Sequence, residues 1–240
     1  AAGLTYQEAC AALRRVIGNE ARRFGCLLKS ELLDAGDKDM YRALTDIKDG
    51  RFTMADEILV DSLRTLSQLL AKHYGKKVIL LLDEYDVPLD KAFQGGYYAE
   101  MVSLLRNMLG GALKTNPNLY FAVLTGCLRV AKESIFTGLN NMKVFSITDS
   151  DCDSYFGFTD GEVRELLSYY GLDDKYEVIK NWYDGYQFGD ADVYCPWDVI
   201  NYVDRLRGKK TLAPQNYWIN TSGNDAVRYL IHKMGDGVLK

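Results

Sequence analysis

The chain has 240 residues and a formal net charge of -4, with 48% hydrophobic and 26% charged residues. This composition is that of an ordinary globular protein, and it excludes a disordered, collagenous or coiled-coil chain. The charge provides no overall basic field, so nucleic acid is expected to be a partner only indirectly, and any contact would have to be local or belong to another domain. A chain of this length forms one large domain or one domain with an appendage.

Cysteine usage and the absence of targeting signals indicate the compartment. Five cysteines are widely spaced and include no Cys-x-x-Cys pair: Cys10, Cys26, Cys127, Cys152 and Cys195. An odd, scattered set favours reduced thiols over a disulfide framework or a zinc site. The first residues lack the features of a signal peptide, and no apolar run approaches the roughly 18 residues that span a bilayer. We therefore expect a cytoplasmic protein with no membrane partner.

The segment before the first predicted strand has helical patterns. A capping box at Thr5 and Glu8 opens a long amphipathic helix. A shorter helix is expected around residues 41–47. Leucines that recur at helical spacing after residue 58 predict a third helix, which ends at Gly75 because glycine is the usual residue after a helix terminus.

Two short apolar runs predict parallel strands. Residues 78–82 read Val-Ile-Leu-Leu-Leu, a pattern typical of a strand that is buried on both faces of a sheet. A helical stripe then leads to a second apolar run at residues 119–124. Strand, helix and strand make a parallel crossover unit. We expect a third strand at residues 144–147, after a short helix between Arg129 and Ile135. The predicted fold is α/β, with a partial parallel sheet flanked by helices.

Acidic and aromatic residues become more frequent beyond residue 148, and strand patterns fade. We therefore place a domain boundary near residue 150, with the α/β core at residues 1–150. Residues 151–240 are expected to form a mainly helical, lid-like subdomain with a small hairpin. Its signals are a capping box at Thr159, a turn at Gly189 and a helix start at Pro196.

Two acidic residues, Asp83 and Glu84, directly follow the first predicted strand. The carboxyl ends of parallel strands are where open α/β sheets bind ligands. In P-loop NTPases an aspartate at this position holds magnesium, and an acid beside it can activate the attacking water. Four apolar residues followed by Asp-Glu form the Walker B pattern. The structural alternative is a buried strand that simply enters solvent through acidic residues.

The second predicted strand ends at Thr125, and Arg129 follows shortly after it. A hydroxyl at this strand end would lie beside the acidic pair, where it can sense the γ-phosphate of ATP. A fixed guanidinium can stabilise the charge that develops on a transferred phosphoryl group. The alternatives are a turn threonine and a solvated arginine.

Longer strings of residues extend these motifs. They are LLDEYDVP at 81–88, LTGCLRVAKESIF at 124–136, GLNN at 138–141, YFGFT at 155–159, WYDGY at 182–186, PWDV at 196–199 and YWINTS at 217–222. Together they resemble the predicted AAA-ATPase-like family, and the resemblance covers most of the chain from about residue 55 onward. The aromatic string at 182–186 is interpreted as structural packing around a glycine turn.

The resemblance implies a bacterial protein related to P-loop ATPases, often with a PD-(D/E)XK nuclease-like domain as a fused partner. Asp83 then corresponds to the residue that binds magnesium and nucleotide, and Glu84 to the catalytic carboxylate. Tyr85 and Asp86 are expected to support this pair. From position alone, we add Thr125 as a nucleotide contact and Arg129 as a catalytic cation.

The sequence contains no Gly-x-x-x-x-Gly-Lys-Ser/Thr string, the Walker A loop that cradles the nucleotide phosphates. The resemblance places this loop upstream of Ala1. We therefore expect the intact parent to bind and hydrolyse ATP with Mg²⁺, and this chain alone to bind neither firmly. Loss of the strand that carries the loop would expose sheet edges, which makes self-association an open prospect.

Two other functions remain open at this point. A degenerate ATPase fold can serve as a non-catalytic interaction or regulatory domain. A third hypothesis is a nuclease metal site formed by Asp83, Glu84 and Asp86, since clustered carboxylates can hold two magnesium ions. A PD-(D/E)XK site also needs an acid-x-Lys sequence on a following strand. The candidate, Asp46-Ile47-Lys48, lies in a charged segment that is not expected to form a strand.

Overall fold

The structure is a computed structural model, and it describes residues 5–114, 116–126, 135–136, 142–209 and 211–218. The chain divides into two compact units, Ala1–Met142 and Lys143–Lys240, which we call the N-terminal and C-terminal units. The described residues form eight α-helices and six short strands. Each unit has its own hydrophobic core. The predicted α/β class is confirmed.

The N-terminal unit opens with two helices. Helix α1 spans Tyr6–Arg22, and its capping box joins Thr5 to Glu8 as predicted. A 3₁₀ turn, Gly25–Lys29, leads to α2, which spans Ala35–Thr45 and so begins earlier than expected. Both helices bury one apolar stripe in the core of this unit.

A small antiparallel hairpin follows, with β1 at Ile47–Lys48 and β2 at Arg51–Phe52. Its turn residues, Asp49 and Gly50, have φ values of 50° and 74°. Two left-handed residues are what a two-residue hairpin turn requires. Part of the segment Asp46-Ile47-Lys48 is therefore a strand, and the expectation that it forms none was wrong, because Asp-Gly is a strong hairpin turn.

The next elements of this unit include the predicted parallel crossover of strand, helix and strand. They are α3 (Asp56–Tyr74), β3 (Val78–Leu82), α4 (Val87–Gly95), α5 (Tyr98–Leu113) and β4 (Leu119–Leu124). Gly75 ends α3 with a φ of 64°, which confirms the predicted terminus. Helix α4 was not expected. It accommodates Pro88 in its first turn, where the missing proline N–H leaves no hydrogen bond unmade.

Strands β3 and β4 pair in parallel, as predicted, but among the described residues one face of this pair is covered and the other is exposed. Val78, Leu80 and Leu82 pack against the helical core. Ile79 and Leu81 project from the other face and are 50% and 71% exposed. The prediction of a strand buried on both faces was therefore wrong for the described part of the chain, because its helices pack against one face alone.

Two adjacent leucines of β3 provide a matched test of this one-sided burial. We expect Leu80→Ala to lower the free energy of unfolding by about 2 kcal/mol, because it removes side-chain atoms from the core. Leu81→Ala should change it by less than about 0.5 kcal/mol, since that side chain lies mostly in solvent. Urea unfolding of the two variants measures both values. Equal losses would show that both faces are covered.

Within its described residues, the C-terminal unit contains helices and one hairpin. It contains α6 (Asp160–Tyr169), α7 (Tyr176–Tyr183), β5 (Asp184–Phe188), β6 (Ala191–Tyr194) and α8 (Pro196–Gly208), with 3₁₀ turns at Asp153–Tyr155 and Asp173–Lys175. The capping box at Thr159, the hairpin turn at Gly189 and the helix start at Pro196 all match the sequence predictions.

The third strand expected at residues 144–147 does not form. Instead, Ser146 N donates to the Asp149 carboxylate at 2.6 Å, and Asp149 N donates to Ser146 O at 2.9 Å. These local hydrogen bonds turn the chain at the place where the strand was expected. The prediction was wrong because it used the apolar pattern alone. The short helix expected between Arg129 and Ile135 falls almost entirely outside the described residues.

The aromatic strings of this unit meet in its core. The Tyr183 hydroxyl donates to Gln215 O at 2.9 Å, and Asp198 Oδ1 accepts from the backbone N–H groups of Tyr217 and Trp218 at 2.8 and 3.0 Å. Tyr183 also packs edge-on against Tyr202, with ring centroids 5.7 Å apart. These contacts fasten residues 215–218 to α7 and α8, which supports the structural interpretation of the aromatic motifs.

Asp160, the first residue of α6, ties together three elements of the C-terminal unit. Its carboxylate accepts hydrogen bonds from the hydroxyls of Tyr176 and Tyr194 and from Arg164 Nε. These bonds, that of Tyr176 foremost, hold the pKa of Asp160 below its ordinary value of 3.8. The ionised carboxylate therefore stabilises the fold above about pH 4, and this contribution is lost as the pH falls further.

We expect Asp160→Asn to lower stability at pH 7 by about 1 kcal/mol, a small value because the carboxylate is partly exposed. The difference from the unsubstituted chain should shrink as the pH falls below about 4, because the carboxylate of the unfolded chain then binds its proton before that of the folded chain. Thermal unfolding between pH 3 and pH 7 measures this, with Asp204→Asn on the exposed surface of α8 as control. A difference that is independent of pH would contradict the assignment.

No helix in the described residues combines the length and the apolar character needed to cross a membrane.

Candidate functional site

Four consecutive residues at the end of β3 are hydrogen-bonded to one residue at the end of β4. Thr125 N donates to Leu82 O at 2.9 Å, and Tyr85 N donates to Thr125 O at 3.0 Å. Between these backbone bonds, the Thr125 hydroxyl donates to the Asp83 carboxylate and accepts from Glu84 N at 3.3 Å. We call Asp83, Glu84 and Thr125 the acid corner. It follows directly from the parallel pairing, which brings both strand ends to one edge of the sheet.

Glu84 has an unusual backbone conformation within the acid corner. Its φ is 54°, in the left-handed region that is uncommon for residues other than glycine, asparagine and aspartate. Such a conformation costs about 1 kcal/mol or more, and it persists only where neighbouring contacts hold it. Here the hydrogen bonds of Thr125 supply those contacts. The Glu84 side chain remains exposed to solvent.

A buried carboxylate lies behind the acid corner. Asp86 immediately precedes α4 and is only 3% exposed. A methyl group added to Gly126 would lie 2.7 Å from Asp86 Oδ1 and 2.9 Å from Tyr85 Cε1, so only glycine fits at this position. The turn after β4 and the turn after β3 are therefore packed directly against each other.

The Tyr85 ring closes one side of this packing. It contacts Phe136 edge-on, with ring centroids 5.3 Å apart. Burial raises the pKa of the Tyr85 hydroxyl, and the nearby charge of Asp86 raises it further. The phenol is therefore neutral at physiological pH, and its contribution to the site is packing and polarity rather than charge.

The structure brings together three of the four site residues that the sequence predicts. Asp83, Glu84 and Thr125 form the acid corner, whereas Arg129 lies outside the described residues. Sequence reasoning named Asp86 only as support, and it missed the requirement for Gly126. The signal was present, because a glycine that directly follows a strand commonly marks a close backbone approach.

The carboxylates at this strand end are too few and too scattered to hold a metal cluster by themselves. They fit better a single magnesium ion that is also bound by a nucleotide. Among the described residues, no three His, Cys, Asp or Glu side chains gather into a group that could hold a metal. Asp83 and Glu84 are exposed while Asp86 is buried against Gly126, so these acids do not form the three-carboxylate nuclease site. Nucleotide-bound Mg²⁺ needs only one or two protein carboxylates, and Asp83 is an accessible one.

Asp83, Glu84 and Thr125 of the acid corner are all exposed to solvent. A cavity of about 560 Å³ is lined by residues of α1, α3 and α5, and another of about 420 Å³ is lined by residues of α6 and its surroundings. No acid-corner residue lines either cavity.

The chain matches the model of a known protein family. Residues 5–136, more than half of the sequence, match a family model described as a predicted AAA-ATPase. The chain belongs to the predicted AAA-ATPase family. The match begins upstream of the motifs that first suggested this family, and it includes the whole acid corner.

A curated relative of this predicted AAA-ATPase is an uncharacterized protein in the vnfD 5'-region of Azotobacter chroococcum mcd 1. It is 33% identical over 150 residues. The match covers 61% of this chain but only 27% of the relative, so the chain spans about a quarter of the length of that protein. No solved structure matches the chain.

Proposed function

We propose that this chain supplies the magnesium-binding and water-activating half of an ATP site, and that the intact protein hydrolyses ATP. The observation that carries this proposal is the acid corner itself, in which Thr125 holds Asp83 and Glu84 at the carboxyl end of two parallel strands. This is the edge at which α/β sheets bind ligands. Membership of the predicted AAA-ATPase family supports ATP as the ligand.

The two carboxylates take different roles in this proposal. Asp83 would hold the Mg²⁺ ion of ATP-Mg, which would supply positive charge to offset that of the phosphates. Glu84, exposed beside it, would orient the attacking water and accept its proton. Arg129 is assigned to the charge on the transferred phosphoryl group.

The phosphate cradle has to come from elsewhere. A Gly-x-x-x-x-Gly-Lys-Ser/Thr string is absent from these 240 residues, so we assign the cradle to another part of the intact protein. ATP turnover would then drive or regulate a partner domain, for which a nuclease-like domain is our candidate. The Azotobacter relative is much longer than the segment that matches this chain, so it is long enough to contain such a domain.

Phosphate release from ATP by the intact protein tests the proposal. We expect release that requires Mg²⁺ and falls at least tenfold in Asp83→Ala, because the metal loses its protein ligand. Asp39→Ala, an exposed acid on α2, is the matched control and should retain full activity. The isolated chain should release no phosphate.

An intact protein that binds ATP without releasing phosphate would favour the alternative, a regulatory domain with a degenerate ATPase fold. Turnover that Asp83→Ala leaves unchanged would contradict the role of Asp83.

A further inference from the structure

We propose that Thr125 is a positioning residue, whose hydroxyl fixes the side chain of Asp83 and the left-handed backbone of Glu84 before nucleotide binds. This role replaces the γ-phosphate contact expected for Thr125 from its position. The structural part of the inference stands on the hydrogen bonds of this chain. Its catalytic consequence rests on the proposed ATPase function.

The hydrogen-bonding capacity of a hydroxyl group supports this role. A threonine hydroxyl has one hydrogen to donate and two lone pairs that accept. Thr125 donates its hydrogen to the Asp83 carboxylate, and one lone pair accepts from Glu84 N. No hydrogen remains for a phosphate oxygen, which is itself an acceptor. The Thr125 hydroxyl therefore cannot hold Asp83 and donate to a γ-phosphate at the same time.

The Thr125 hydroxyl also holds Glu84, the part of the turn after β3 that the main chain of Thr125 does not contact through hydrogen bonds. The main chain of Thr125 bonds to Leu82 O and Tyr85 N, the two residues that flank the acidic pair. Glu84 lies between these anchors, at a φ of 54°. Its own N–H is bonded to the side chain of Thr125 and not to its backbone. Loss of the hydroxyl would leave that N–H unpaired and free the strained residue to relax.

Amide hydrogen exchange on this chain, measured residue by residue by NMR, tests the inference without ATP. In Thr125→Val, which keeps the shape and removes the hydroxyl, exchange at the Glu84 amide should become about tenfold faster. The Tyr85 amide is an internal control, because it is bonded to the backbone carbonyl of Thr125, which valine retains. Its exchange should not change.

Thr125→Ser provides the matched rescue, because serine retains the hydroxyl group. Exchange at Glu84 in this variant should stay within about twofold of the unsubstituted chain. Unchanged exchange at Glu84 in Thr125→Val would overturn the inference. Equal acceleration at Glu84 and Tyr85 would also overturn it, because it would show that valine loosens the whole strand end.

The intact protein supplies the catalytic test. Positioning predicts that Thr125→Val lowers kcat for ATP hydrolysis about tenfold and leaves ATP binding in EDTA unchanged, and that Thr125→Ser restores kcat. Weaker ATP binding in EDTA would instead indicate a direct phosphate contact and overturn the inference. If the intact protein hydrolyses no ATP, the proposed function fails, while the exchange result still decides the positioning role.

Discussion

Glu84→Gln in the intact protein is expected to lower kcat for ATP hydrolysis by a factor of about 10² to 10⁴, the usual contribution of a general base. Glutamine keeps the size of the side chain and leaves the backbone bond from Glu84 N to Thr125 in place. It removes the carboxylate that would accept a proton from the attacking water. ATP binding should change little, because the proposed metal ligand, Asp83, is untouched.

Single-turnover and steady-state phosphate release measure this effect, and calorimetry measures ATP binding to the same variant. Glu57→Gln, which also replaces an exposed glutamate, is the control and should have normal turnover. If Glu84→Gln hydrolyses ATP at the normal rate, the catalytic role of Glu84 is wrong.

Gly126→Ala is expected to lower the free energy of unfolding by about 1 to 3 kcal/mol, the range for overpacking a well-filled site. The added methyl group would lie 2.7 Å from Asp86 Oδ1 and 2.9 Å from Tyr85 Cε1. Asp86 is buried and Tyr85 is packed against Phe136, so neither side chain moves away without losing contacts. The turn after β4 would shift, and Thr125 with it.

Urea unfolding measures this cost, and a second substitution tests its cause. Asp86→Ala removes the carboxylate that the methyl group meets, so the double variant should be more stable than the sum of the single losses by about 1 kcal/mol. Gly110→Ala is the control, since its added methyl group meets nothing within 4 Å. Strict additivity of Gly126→Ala and Asp86→Ala would contradict the packing explanation.

The elements that the sequence predicts best are those with a strong local signal. The run of five apolar residues in β3, the glycine that ends α3 and the capping boxes of α1 and α6 each specify local geometry. Whether a face of a strand is covered depends on residues that are distant in the sequence. The same apolar run is found with Leu80 packed on the core and Leu81 in solvent, because coverage depends on where distant helices lie.

The candidate site shows the same division between local and distant information. Asp83 and Glu84 were predicted to lie together, since they follow a strand directly. The left-handed φ of Glu84 was not predictable, because glutamate has no preference for that region and a residue 41 positions away holds it. The contact between Asp86 and Gly126 likewise depends on the parallel register of β3 and β4.

The magnesium dependence of ATP binding tests most directly whether the acid corner binds the magnesium ion of ATP-Mg, as we propose. Calorimetry on the intact protein, with Mg²⁺ and with EDTA, should give a magnesium-dependent gain in ATP affinity. We predict that Asp83→Asn abolishes this gain and leaves metal-free ATP binding intact, because only the metal contact is lost. The same gain in Asp83→Asn would contradict this proposal.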